Sequence, residues 1–247
     1  MRFWIAVIAL GLVVYLLGLV VNLPAARLAP VLAERGVVLE SARGSIWEGA
    51  GSRLLVRGLE IPAPSWDLSG PALFMGRVNA RLATGWGDAR VRAGMGGDLA
   101  LRDVDMIIPL ETLRGIPGAE ALSLGGDLVL DLAGIEVSDS IPRRAQGRVL
   151  WRDAVIGSLG TDLGGYEVVL ETINETITGR IRDTGGPVEA SGAVALEPDG
   201  QYRLDLRLAA RAGAEPFIEN GLRLLGPQDP RGGVRLTRQG SLEDLRL

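Results

Sequence analysis

Beyond residue 36 the chain alternates apolar and polar positions far more often than it repeats them at helical spacing. From Gln201 to Arg211, Tyr202, Leu204, Leu206 and Leu208 alternate with Arg203, Asp205 and Arg207, the period-two pattern of a half-buried strand. Val78, Ala80 and Leu82 against Arg77, Asn79 and Arg81 repeat it, as do Leu128, Leu130 and Leu132 flanked by Asp127 and Asp131. Glycine pairs at Gly96-Gly97, Gly125-Gly126, Gly164-Gly165, Gly185-Gly186 and Gly232-Gly233 punctuate these runs, as turns and bulges with positive φ require. Strand follows strand with little room for crossover helices, so the pattern predicts an antiparallel sheet.

Four segments depart from that alternation. Phe3 to Val21 holds 19 residues without charge or proline, including Trp4 and Tyr15, and as a helix would span about 28 Å, enough to cross a bilayer. A cleaved signal peptide has an apolar core of roughly 7 to 15 residues before a small-x-small site, and Asn22-Leu23-Pro24-Ala25-Ala26 fits such a site poorly. Residues 1–22 are therefore expected to be an uncleaved anchor, with everything after Val21 outside the cytoplasm, because long domains translocate largely regardless of charge. Pro24 to Glu34 has Leu28, Val31 and Leu32 at helical spacing and Gly36 to stop it, giving a connecting helix within 23–36. Pro109 to Arg114 and Pro216 to Leu225 also read as helical, the second opened by a proline and closed by Gly226.

The predicted fold class is mainly β. An N-terminal transmembrane helix leads into a long twisted antiparallel sheet over 37–247, curled into a trough or folded into a sandwich, with a short helix near residues 215–225. Gly-Gly-Asp-Leu-x-Leu at Gly96 to Leu101 recurs at Gly125 to Leu130. If this echo is a true duplication, the β domain comprises two similar halves, about 37–133 and 146–247.

Composition narrows the chemistry. The chain is 47% apolar but only 4% aromatic, so burial rests on Leu, Val, Ile and Ala. It contains no Cys, His or Lys, and its 26 basic residues, all Arg, stand against 30 acids for a net charge of −4. Disulfides, thiol or imidazole catalysis, the usual zinc patterns and a phosphate-binding Lys loop are all absent from such a sequence. No cofactor, no metal and no nucleic-acid partner are expected.

Asp103 and Asp105 are the carboxylate pair to consider for acid–base work, but at i and i+2 on a strand they read as part of a solvated face. Gly94 to Gly97 is a turn rather than a dinucleotide fingerprint, since no helix follows. Trp47, Trp66, Trp86 and Trp151 read as packing residues before they read as a binding surface.

At Gly44-Ser-Ile-Trp47-Glu-Gly49-Ala50 the sequence resembles the type II secretion system protein N family, whose members carry a Gly-x-x-Trp-x-Gly-Ala turn soon after an N-terminal membrane helix. Pro64-Ser-Trp66-Asp-Leu68, Gly147-Arg-Val-Leu-Trp151-Arg-Asp-Ala154 and Leu224-Leu-Gly226 to Gly232-Gly-Val-Arg-Leu236 resemble that family's later elements in the same order. The resemblance implies a single-pass inner-membrane component of the Gram-negative type II secretion machinery, with a periplasmic β domain and other secretion subunits as partners. It supplies no catalytic residues.

Two functional readings follow. In the first, the anchor meets inner-membrane lipid and the β domain is a non-catalytic accessory or scaffold whose strand edges or loops contact secretion subunits. In the second, the Leu-rich face of a curved sheet is left open and holds lipid; the many alanines, such as Ala80, Ala93, Ala190 and Ala209, would give such a trough thin walls. Alternation is the same in both, and the two differ in whether the apolar face is covered.

Overall fold

The computed structural model describes residues 23–34, 36–56, 58–70, 72, 76–94, 96–115, 123–157 and 161–242. The anchor segment expected over residues 1–22, with Phe3, Trp4, Tyr15 and Val21, lies outside these. Among the described residues no helix is long and apolar enough to cross a membrane.

The chain enters through a 3-10 turn at Ala25–Arg27 and a short helix at Leu28–Ala33. Five short strands follow: β1 (Val37–Glu40), β2 (Arg43–Gly44), β3 (Glu48–Ala50), β4 (Arg53–Val56) and β5 (Leu59–Pro62). Next come β6 (Ser65–Leu68), β7 (Arg77–Thr84), β8 (Gly87–Gly94) and β9 (Leu99–Pro109). A 3-10 segment at Leu110–Gly115 separates these from β10 (Gly125–Ser138), β11 (Ile141–Ile156), β12 (Thr161–Ile173) and β13 (Thr176–Gly185). The chain continues through β14 (Val188–Leu196) and β15 (Gln201–Ala210), then the helix Pro216–Leu225, and ends in β16 (Val234–Ser241).

Thirteen of these strands form one antiparallel sheet, in which β6 to β16 lie side by side in chain order and β3 and β2 extend the β6 edge. The remaining three, in the order β1-β4-β5, make a small separate sheet. The sequence left open a trough or a folded sandwich, and the structure places thirteen strands in one continuous antiparallel sheet.

Pairing places the predicted alternation on two faces. One row across the sheet runs Met106, Leu130, Val149, Val168, Ile181, Gly192, Leu206, Leu236. The row beside it, on the opposite face, runs Asp105, Asp131, Arg148, Val169, Arg180, Ala193, Asp205, Thr237. One face is thus aliphatic and the other is charged at most steps.

The sheet curls toward its apolar face. Cα atoms of β11 and β13 approach within 8 Å across the intervening β12, whereas strands two apart in a flat sheet stand about 9.5 Å apart. Gly179 on β13 shows which side is concave: a Cβ there would lie 2.8 Å from Val194 Cγ1 and 3.1 Å from Val168 Cγ1, because side chains of the flanking strands lean into its place.

One end of the trough is stopped. Ile218 and Leu222, one turn apart on the helix Pro216–Leu225, are buried with Val188 and Val234 and pack on Leu208, Ala210 and Leu236. Pro216 starts this helix with φ already helical, and Gly226 ends it. A second cluster, Ala89, Val104 and Leu132, lines the middle of the trough with Leu101, Met106, Leu130, Ile135, Val149 and Leu170 only partly covered around it.

Candidate functional site

The residues of the first Gly/Trp motif come together. Gly44 and Gly49 face each other across the β2–β3 hairpin, and Ser45 Oγ accepts the backbone N–H groups of Trp47 and Glu48 at 3.2 and 3.1 Å, closing the turn. Trp66 on β6 pairs with Gly49 and lays its indole where a side chain would stand; a Cβ on Gly49 would be 2.8 Å from Trp66 Cε2. Its Nε1–H donates to Ile46 O at 3.1 Å. The backbone N–H of Leu68 donates to Trp47 O at 2.6 Å. The motif therefore buttons the short N-terminal strands onto the long meander.

The second motif acts in the centre. Gly147 on β11 adopts φ of +140° and sits so close to β10 that a Cβ would be 2.5 Å from Leu132 Cα. Trp151 Nε1–H donates to Gly125 O at 2.9 Å, and its ring meets Tyr166 with centroids 6.0 Å apart. Burial pushes the Tyr166 phenol up to about 12, with Asp183 adding to the shift, so its hydroxyl stays protonated and donates to Leu163 O at 2.9 Å.

The third motif folds the turn that covers the start of β16. Asp229 accepts Arg207 Nε–H at 2.7 Å, Arg231 N–H at 2.8 Å and Gly233 N–H at 2.9 Å. These donors, Arg207 first, hold its carboxyl down at about 2. Gly232 supplies the positive φ of this turn and Gly226 the exit from the helix.

The charged face is closed on itself by arginine. Arg102 pairs with Glu136 at 2.9 Å, Arg90 with Asp103 at 2.7 Å and Arg180 with Glu171 at 2.9 Å. Glu167, the buried acid, lies between Arg148 and Arg182 on the neighbouring strands. A polar cleft of about 950 Å³ opens where β11 and β12 separate, lined by Arg102, Glu136, Arg144, Gln146, Glu171 and Thr172 among others. The Thr172 hydroxyl bridges it, accepting Ala145 N–H at 2.9 Å and donating to Ala145 O at 3.0 Å. Asp103 and Asp105 are exposed, Asp103 in a bulge with φ of +48°. Among the described residues no group of carboxylates is placed to hold a metal.

The apolar face is a different kind of surface. The helix Pro216–Leu225 packs on Leu236 at one end of the row, and the side chains from Leu130 to Leu206 are half-buried rather than buried. Beyond alanine, the described core contains only Leu39, Val104, Leu110, Leu132, Ile177, Val188, Ile218, Leu222 and Val234, few for a sheet of this width. The sequence reading did not find the uneven edges of the sheet. At one edge β2 has two residues, bridged by Pro24 at Ser45, while at the other β16 has eight.

Together these features define a class: a curled single-sheet β protein, ion-paired on its convex face and aliphatic in its concavity, built to present surface. The family described as "Type II secretion system (T2SS), protein N" matches residues 35–237. The chain belongs to that family, and so is a component of the type II secretion machinery. The type II secretion system protein N of Vibrio cholerae serotype O1 is 23% identical over 239 residues, covering 93% of this chain and 95% of the relative. That of Pectobacterium carotovorum subsp. carotovorum is 24% identical over 237 residues, covering 89% and 90%. No solved structure matches the chain.

Proposed function

We propose that the protein is a non-catalytic accessory or scaffold of the secretion machinery in the bacterial envelope, held at the inner membrane by residues 1–22 with its β domain in the periplasm. Family membership over residues 35–237 carries this reading. The convex face supports it, since its charges are largely satisfied within the sheet and leave edges and loops as the contact surfaces. Purification of the full chain from its native host in mild detergent should bring other secretion subunits with it. Recovery of the chain alone, from cells that are actively secreting, would remove the scaffold.

A second reading rests on one observation: the concave face carries an aliphatic row whose side chains from Leu130 to Leu206 are only half-buried. A face of this kind fits an acyl chain by shape and chemistry. Lipid extraction from a chain lacking residues 1–22, beside the full chain, separates lipid held in the trough from lipid around the anchor. Stoichiometric lipid on the shortened chain supports the carrier, and a lipid-free shortened chain that remains folded removes it.

A further inference from the structure

We propose that the helix Pro216–Leu225 sets its exposed apolar edge, Phe217, Leu224 and Leu225, into the surface of the same phospholipid bilayer that holds residues 1–22, as a second and reversible point of attachment. The inference rests on the reading of residues 1–22 as an anchor.

The helix is apolar over more of its circumference than the sheet uses. At about 100° per residue, Leu224, Phe217, Gly221, Leu225, Ile218 and Leu222 fill one arc of about 160°, wider than the stripe of about 100° that packs a surface helix onto a core. Within it Ile218 and Leu222 are buried, against Val188 and Val234. The rest of the arc faces out. Phe217 is 46% exposed, Leu225 51% and Leu224 89%, the last being the most exposed large apolar side chain among the described residues. A Cβ on Gly221, which lies between Phe217 and Leu225 on this edge, would meet nothing within 4 Å. Glu219, Asn220 and Arg223 take the remaining arc and are exposed.

The chemistry of this edge selects a bilayer as its occupant. Protruding leucines and a phenylalanine are covered by a fluid apolar medium without a matching pocket. The charges that follow the C-terminal turn are basic. Arg223 is 58% exposed and meets Glu219 at 3.8 Å. Arg231, in the turn after the helix, donates its backbone N–H to Asp229, and that carboxylate pairs with the Arg207 guanidinium. Arg223 and Arg231 therefore flank the two leucines in the chain with guanidinium groups suited to lipid phosphates.

The sheet brings the helix within reach. Pro24, just past the expected anchor, bridges Ser45 beside β2. Twelve strand spacings of about 4.8 Å put the β16 edge within about 58 Å of that edge, and curling shortens the direct path. Three apolar side chains hold a bilayer weakly by themselves, but on a tethered domain their insertion is intramolecular and meets lipid at high effective concentration.

The chain has no cysteine, so single cysteines report directly. Full chains carrying Leu224→Cys or Asn220→Cys are labelled with the dye NBD and reconstituted into vesicles of phosphatidylcholine and phosphatidylglycerol. The expected result is at least about fivefold less iodide quenching at 224 than at 220, with nitroxides on the lipid acyl chains quenching 224 instead. Adding Phe217→Asp and Leu225→Asp should return the label at 224 to water while the circular dichroism of the sheet is retained. Three results would overturn the proposal: a label at 224 as open to iodide as that at 220, one shielded from iodide yet untouched by the lipid nitroxides, as contact with a second copy would give, or one that stays in the bilayer in the doubly substituted chain. Release of the chain by alkaline washing would remove the anchor and the proposal with it, whereas a retained chain with residue 224 in water removes the helix contact alone.

Discussion

The two faces of the sheet share every backbone hydrogen bond and differ in what their side chains can lose. On the concave face Val104, Leu132 and Ala89 meet in a cluster with few substitutes nearby. On the convex face Glu136 has both Arg102 and Arg144 within reach, and Glu167 has both Arg148 and Arg182. The described concave core is small, so stability is concentrated in a few concave contacts, while the convex ion pairs are redundant and, Glu167 apart, exposed.

Breaking the comparison at its strongest point means placing a charge at Leu132. Leu→Ala changes at such positions cost about 2 to 5 kcal/mol, and Leu132→Asp adds an unpaired buried carboxylate. A loss of about 5 kcal/mol or more is expected, comparable to the whole stability of an ordinary domain. The measurement is chemical denaturation followed by tryptophan fluorescence, and a folded variant with an unchanged midpoint would show that the trough is not the core.

Gly147→Ala tests the curvature itself. A side chain there meets the β10 backbone at Leu132 and must also hold φ at +140°, so a loss of about 2 to 4 kcal/mol is expected with no change in charge or polarity. Gly134→Ala serves as the comparison, since its nearest neighbour would be an ordinary 3.4 Å away. Similar midpoints for the two variants would mean that β10 and β11 relax apart at little cost.

Much of this contrast was legible in the residues. The alternations at Arg77 to Leu82, Asp127 to Leu132 and Gln201 to Arg211 all lie on strands in the expected sense, and Pro216 to Leu225 forms the expected helix. Pro109 to Arg114 reads as helical and forms a 3-10 segment one residue on, packing beside β5, β9 and β10. Of the four alanines expected to thin the trough wall, Ala209 sits instead on the convex side, in register with Glu189 and buried.

Other features carry no local signal. The turns at Asp139-Ser140 and Asn174-Glu175 use positive φ at both residues without any glycine, so the glycine punctuation passes over them. The two Gly-Gly-Asp-Leu segments occupy unlike places: Gly97 lies in the turn before β9, while Gly126 forms a bulge inside β10. Trp66 filling the space over Gly49 joins residues 17 apart in the chain through a long-range pairing. The separation of β1, β4 and β5 into their own sheet likewise follows from pairings that period alone does not encode.

On the convex face the expected effects are small. Glu136→Gln neutralises the exposed acid that Arg102 and Arg144 share, a loss of roughly 0.2 to 1 kcal/mol, and the melting temperature should fall by no more than about 3 °C. The loss should shrink further in high salt, which screens exposed charges. A larger fall would mean that the outer ladder works as a cooperative network, and the contrast between the faces would narrow.

The smallest effect is expected at Asp229, whose carboxyl is held down at about 2 against an ordinary 3.8 by Arg207 and the Gly233 and Arg231 amides. A group with a depressed folded-state pKa contributes stability that is complete above its unfolded value and lost as pH falls through the folded one. The clamp on the 229–233 turn should therefore hold above about pH 4 and release between about 4 and 2. Hydrogen exchange at Gly233 N–H, which donates to this carboxylate at 2.9 Å, should accelerate through that window beyond the intrinsic pH dependence. In Asp229→Asn the excess acceleration should vanish, because an amide does not titrate there. Other convex carboxylates, Asp205 among them, titrate in both proteins and cancel in the difference. An identical profile in the variant would assign the release to the rest of the convex face, and would make that face a collective structure rather than a set of separate pairs.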